Sequence, residues 1–219
     1  LQWDNGGSLQ DLPNDIEAIA INDAGVLYGV TNSALGATNG PVLFSFDTAD
    51  AANIATTAVT VIGEVGGGGI FDHANDQISG LAFDPTTGNL YALRQDTNSD
   101  GSEGDDEIFL IDTTDASIQN TWTLDEGFNI DDVHSAEDIA FDDSGNLYVN
   151  DTVNNHIWDV DLGAGGNVAS LTTVNTSTTT NATGLAFDTN SGNVVMADIN
   201  GLANLTVPAG AESDIGDAT

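Results

Sequence analysis

GLAFDPTTGNLY, residues 80 to 91, decides how this chain folds. An apolar run, Leu81–Ala82–Phe83, leads into Asp84–Pro85–Thr86–Thr87–Gly88, and a second apolar run starts at Leu90. Two short apolar runs flanking a turn segment that contains a glycine read as a β-hairpin, with the glycine free to take the positive φ a tight turn needs. The same string recurs. IEAIAINDAGVLYGV (16 to 30), AEDIAFDDSGNLYVN (136 to 150) and ATGLAFDTNSGNVVMA (182 to 197) align with ISGLAFDPTTGNLYAL (78 to 93), anchored on Ala20, Ala82, Ala140 and Ala186. Their turn glycines are Gly25, Gly88, Gly145 and Gly192.

Working outward, a third strand follows each hairpin, as LFSFDT, EIFLIDTTD, HIWDVDLG and LANLTV, and a fourth follows the first three, as TTAVTVIGEV, SIQNTWTL and VASLTTV. Units of four antiparallel strands every 40 to 60 residues are the blades of a β-propeller. The expected fold is therefore all-β, a propeller with four recognisable four-stranded blades at about 15–70, 76–127, 136–175 and 181–207, in a single domain spanning 1–219. Two arrangements are open: a closed four-bladed ring, or part of a larger propeller completed by a longer parent chain or a second copy. The last unit lacks a clear fourth strand, and the N-terminal segment 1–12 reads as a hairpin placed to close that blade.

Composition narrows the function. The 219 residues carry 35 Asp and Glu, one basic residue (Arg94) and no lysine, for a formal net charge of −34. Self-repulsion on this scale is relieved by screening salt, protonation or bound cations. Nucleic acid is excluded as a partner, because affinity for it comes from Lys and Arg neutralising phosphates. Anionic membrane surfaces are excluded on the same ground, and no apolar run is long enough to insert as a membrane helix. Zero cysteines removes thiolate metal sites and cysteine nucleophiles. Leu1 at the start, with no basic and apolar leader, suggests a processed or excised chain. The acidity suits an extracellular or cell-surface, calcium-rich setting, with salt-adapted cytosol as the alternative.

An acidic insertion, QDTNSDGSEGDDE (95 to 107), joins the second and third strands of the second unit. It satisfies D-x-[DN]-x-[DN]-G-x5-E through Asp96, Asn98, Asp100, Gly101 and Glu107. Calcium takes 6 to 8 oxygens at ~2.3–2.6 Å. The side chains of Asp96, Asn98 and Asp100, the Ser102 carbonyl and a bidentate Glu107 supply such a set, with Gly101 allowing the bend. Ca2+ is the expected ion, and the competing reading is a solvated acidic loop. A second candidate set gathers where chain segments enter the repeats. It comprises Glu17 and Glu137, each three residues before the shared alanine, with Asp72 and His73, and Asp131, Asp132 and His134. Ser79 and Thr183 hold the matching positions of the other two units. Nucleophile-elbow, P-loop and HExxH patterns are absent. The sequons at Asn150, Asn175, Asn181 and Asn204 are explained by abundant Asn and Thr, and Trp122 and Trp158 by packing between blades.

The string G-L-A-F-D-x-x-x-G-N-L-Y at 80 to 91, nearly repeated at 138 to 148 and 184 to 195, resembles the blades of NHL-type and SMP-30-like (lactonase-type) bacterial propellers. That resemblance implies the propeller fold over about 15 to 206. It allows two functions: sugar-lactone hydrolysis with a divalent metal in the central channel, or a non-catalytic surface module. The first expectation is a calcium-stabilised extracellular binding or structural module, with a surface protein or glycan as partner. The alternative is a metal-dependent lactonase-type hydrolase.

Overall fold

In the computed structural model each repeated segment is an antiparallel hairpin closed at its glycine: Gly25, Gly88, Gly145 and Gly192 have φ of 78°, 73°, 83° and 70°. The residue that opens each turn braces it with its own side chain. Asn22 accepts from the Ala24 and Val26 amides, Asp84 from Thr86, Asp142 from Ser144 and Asn146, and Asp188 from Asn190. These are Asx turns, the reason Asp and Asn recur at this position.

The structure describes residues 2–4, 9–11, 16–32, 40–49, 58–67, 71, 76–96, 106–124, 136–152, 156–163, 170–176, 183–198, 201–206 and 211–217. The first sheet contains β1 (Gln2–Asp4), β2 (Leu9–Asp11), β3 (Ile16–Ile21), β4 (Val26–Thr31), β5 (Val42–Asp47) and β6 (Ala58–Glu64), in the order β2-β1-β6-β5-β4-β3. The second contains β7 (Asp76–Phe83), β8 (Leu90–Asp96), β9 (Glu107–Ile111) and β10 (Ile118–Thr123). The third contains β11 (Ala136–Phe141), β12 (Leu147–Asp151), β13 (His156–Asp161) and β14 (Ser170–Thr176). The fourth contains β15 (Gly184–Asp188), β16 (Asn193–Asp198), β17 (Gly201–Thr206) and β18 (Ala211–Asp217). From β3 onward the strands of each sheet pair in chain order, and the strands that open the repeats lie side by side: β3 on β7, β7 on β11, β11 on β15. This is the architecture of a β-propeller, with those strands innermost.

The N-terminal hairpin departs from the sequence expectation. β1 runs parallel to β6 and widens the first blade, while β18 pairs with β17 as the fourth strand of the last. The strand β18 was missed because AESDIGD carries a single large apolar residue, Ile215, and an edge strand needs little burial of its own.

The cores sit between consecutive sheets and follow one rule. Ala20 packs in a cluster with Leu81 and Phe83 of the next blade, Ala82 with Ile139 and Phe141, and Ala140 with Leu185 and Phe187. The shared alanine leaves space and the following blade fills it with its large side chains, a small-against-large packing that keeps interior density. Trp122 and Trp158 lie in the core between the second and third blades, as their packing role requires. Among the described residues the rule stops at the two ends: Ala186 is exposed, and Ile19 and Ile21 are 58% and 57% exposed.

Side chains also stitch each blade to the start of the next. Asn32 of the first blade donates to the Ile78 carbonyl (3.2 Å) and accepts its amide (3.0 Å). Asp106 of the second accepts from the Ala136 amide at 2.7 Å. Asp138 of the third accepts from the Leu185 amide at 2.8 Å. Every inner strand after the first is thus held at its entry end by a polar side chain of the preceding blade.

Candidate functional site

The entry ends of the inner strands share a bend. Register shifts between Ile16 and Ala18, Ile78 and Gly80, and Ala136 and Asp138 leave Glu17, Ser79 and Glu137 as bulged residues. A bulge re-aims its side chain away from the sheet's alternation, which is why such positions recur beside sites. The two glutamates singled out from the sequence therefore occupy equivalent places near the axis. Glu17 is exposed and Glu137 half-buried.

Around Glu137 the second and third blades build a polar cluster. Gln77 Nε2 donates to Gln95 Oε1 at 2.5 Å, and Gln95 Nε2 approaches Glu137 Oε1 at 3.4 Å. The Glu137 and Asp138 amides donate to Asn150 Oδ1 at 3.2 and 2.6 Å. Asn150 is buried, which leaves its side chain to this bulge and removes its sequon as a glycosylation acceptor. Ser79 Oγ donates to the Ala136 carbonyl at 3.1 Å.

Asp138 is the residue that sequence reasoning missed. In the aligned repeats it stands where the others carry Ala18, Gly80 and Gly184. A carboxylate at a position otherwise kept small was the available signal. Oδ1 accepts from the Ile139 amide at 2.9 Å and Oδ2 from the Leu185 amide at 2.8 Å. Burial pushes its pKa from the ordinary 3.8 up to about 6, against the two amide hydrogen bonds and with the Glu137 charge adding to the rise. Opposite it, a Cβ added at Gly80 would lie 2.9 Å from Asp138 Oδ1 and 3.0 Å from the Ile139 nitrogen. Only a residue without a side chain lets β7 and β11 approach this closely.

Of the other sequence candidates, Asp72, His73, Asp131, Asp132 and His134 lie outside the described residues. So do Asn98, Asp100, Gly101 and Ser102 of the acidic loop. β8 ends at Asp96 and β9 begins at Glu107, so the insertion joins the two middle strands of its blade. Its base is fixed on one side by the fully buried Asp106. Glu107 pairs with Arg94, its cross-strand partner, which engages Oε2 of the residue expected to ligate calcium in bidentate fashion. Among the described residues no group of three His, Asp or Glu side chains comes close enough to hold a metal ion.

No family model matches the chain, and no curated protein matches its sequence. Solved structures share its fold. A putative gluconolactonase is 18% identical with a TM-score of 0.60, over 89% of this chain and 60% of that one. Regucalcin from Agrobacterium tumefaciens strain C58, a calcium-binding protein, is 18% identical with a TM-score of 0.58, over 94% and 61%. A catalytically inactive variant of virginiamycin B lyase from Staphylococcus aureus, with quinupristin, is 15% identical with a TM-score of 0.55, over 99% and 62%. The chain is similar to these propellers in fold and spans about three-fifths of their length.

Proposed function

We propose that the chain carries the axial site of a lactonase-type hydrolase, with Asp138 and Glu137 as its carboxylates. One observation carries the reading: a half-buried acid near the axis, with its pKa raised to about 6, stands where sibling repeats have only Ala or Gly. A base of that strength removes a proton from water efficiently near neutral pH. Each Asp138 oxygen accepts one backbone hydrogen bond and keeps a further lone pair for that proton. The water oxygen then attacks the lactone carbonyl, the ring C–O bond breaks, and the proton passes to the departing alkoxide to give the hydroxy acid. The Glu137 carboxylate, approached by the Gln95 amide, adds to the basicity of Asp138 through its coulombic repulsion.

Lactonase-type propellers resembling this chain hold a divalent metal in the channel. The described residues do not fit such an ion, since no three His, Asp or Glu side chains among them, Glu17, Glu137 and Asp138 included, come together. No step above passes through a metal. The test is turnover of a panel of five- and six-membered sugar and aliphatic lactones, in chelator and with added Ca2+, Mn2+ or Zn2+. Expected are a rate that rises with pH through about 6 and a loss of at least ~100-fold in Asp138→Asn. No turnover above the Asp138→Asn background under any of these conditions would sink the proposal.

A second reading is a calcium-stabilised, secreted or cell-surface binding module that recognises a surface protein or glycan. It is favoured by the fixed base of the acidic loop, where Asp106 is buried and bonded to the third blade. It requires Glu107 to share its carboxylate between the ion and Arg94.

A further inference from the structure

Toward the turn end of the axis, the four inner strands and their turns line a cavity of about 530 Å³. Asp143 on this rim lies five positions after Asp138, across the end of β11 and into its turn, at most ~16 Å away at strand rise. The wall is built from equivalent positions of the four inner strands. Phe83, Phe141 and Phe187 occupy one such position and Ile21 its counterpart in the first blade. Two of the rings are held by edge or tilted contacts with the preceding blade: Phe83 with Tyr28 at 5.3 Å and Phe141 with Tyr91 at 5.0 Å between centroids. On the rim, the first and third blades contribute Asp23 and Asp143, both exposed, and the second and fourth contribute Pro85 and Thr189.

Three features of this cavity are unusual together. Part of its apolar wall faces water, Ile19 and Ile21 being more than half exposed. Carboxylates on two alternate blades flank its mouth. The only Lys or Arg of the chain, Arg94, is paired with Glu107 on a different strand pair, so the protein has no lysine or arginine to balance the rim. Aromatic faces attract a cation through their quadrupole, most strongly where water is displaced, and quaternary ammonium groups are recognised in this way. An apolar wall with flanking carboxylates adds a preference for a cation that carries hydrocarbon.

We propose that this turn-end cavity binds an alkylated ammonium ion, a quaternary or tertiary ammonium bearing an apolar substituent, with the substituent on the Ile19, Ile21 and phenylalanine wall and the charge between Asp23 and Asp143. The cavity reaches Ile139 and Leu185, whose amides bond Asp138, but the proposal concerns binding at the turn end and stands or falls separately from any hydrolysis.

Calorimetric titration of the intact chain with benzyltrimethylammonium, at fixed ionic strength, tests this. Expected is saturable one-site binding, at least tenfold tighter than that of its neutral carbon isostere neopentylbenzene and of tetramethylammonium. Ala186→Trp, at an exposed wall position where bulk is tolerated, should weaken binding at least tenfold by filling the cavity. Asp23→Asn combined with Asp143→Asn should bring the cation and the isostere to similar affinity. Should Ala186→Trp fail to fold, Ile19→Trp, at an even more accessible wall position, gives the same reading. Absence of saturation, equal binding of the neutral isostere by the unaltered chain, or undiminished affinity in the filled-cavity variants would overturn the proposal, the last by showing general attraction to an acidic surface.

Discussion

Asp138 links the chemistry of the axis to the stability of the fold. Its half-buried carboxyl bridges the third blade to the Leu185 amide of the fourth and holds its proton up to about pH 6. The folded chain thus binds that proton more tightly than the unfolded chain, whose carboxyl titrates near 3.8. By linkage, the Asp138 contribution is fully present below about pH 4 and is lost as pH rises through 6, a swing of at most ~3 kcal/mol. Asp138→Asn is neutral throughout and should flatten the decline in unfolding free energy between pH 4 and 6. The general charge of the protein also grows over this range, so Asp143→Asn, which removes an exposed carboxylate, is the control. Denaturant melts across pH 4 to 7 with equal slopes in the two variants would show that Asp138 is not the group responsible.

Inner strands approach each other closely only where the sequence keeps a residue small. Gly80 on β7 faces β11, and two of the three atoms its added Cβ would meet are backbone: the Ile139 nitrogen at 3.0 Å and the Asp138 Cα at 3.1 Å. Backbone does not swing aside as a side-chain tip does, so Gly80→Ala should push the two strands apart at a cost of roughly 1–3 kcal/mol. At this chain length the melting temperature would fall by ~2–4 °C for each kcal/mol. Gly88 is the useful contrast, since its would-be Cβ has nothing within 4 Å and only its φ of +73° is demanding. Gly88→Ala should cost about 1–2 kcal/mol through backbone strain alone and leave the Asp138 titration unchanged, whereas Gly80→Ala should move it. Identical Asp138 titration in both variants, followed by carboxyl NMR, would refute the close contact.

The whole molecule carries −34 charges with a single basic residue, and its blades must stack against that repulsion. The screening length shrinks from ~30 Å at 0.01 M salt to ~10 Å at 0.1 M, so the melting temperature should climb with sodium chloride over this interval. Calcium at matched ionic strength should add a further rise if the 96–107 loop takes the ion, and Asp100→Ala should abolish that increment alone. Coincident sodium and calcium curves would remove the ion from the loop and with it the calcium-stabilised reading. The free ends of the packing rule belong to this scale too. Among the described residues, Ala186 and the Ile19–Ile21 face are left uncovered where the equivalent positions of the other blades pack together.

Local chemistry was enough to set the repeats. Alternating apolar runs, an Asx residue and a glycine at fixed offsets dictate a hairpin wherever they occur, and GLAFDPTTGNLY specifies its own turn without help from the rest of the chain. The blade order and the equivalent places of Glu17 and Glu137, three residues before the shared alanine, follow from that periodicity. Two things did not follow. An edge strand as polar as β18, and the parallel seat of β1 on β6, depend on which backbone edges remain unpaired once the sheets exist. The role of Asp138 depends on the neighbouring blade, because burial and the Leu185 amide arise only when β15 packs on β11. Sequence spacing places a carboxylate on a strand; its proton affinity is set by what the tertiary structure removes from water around it.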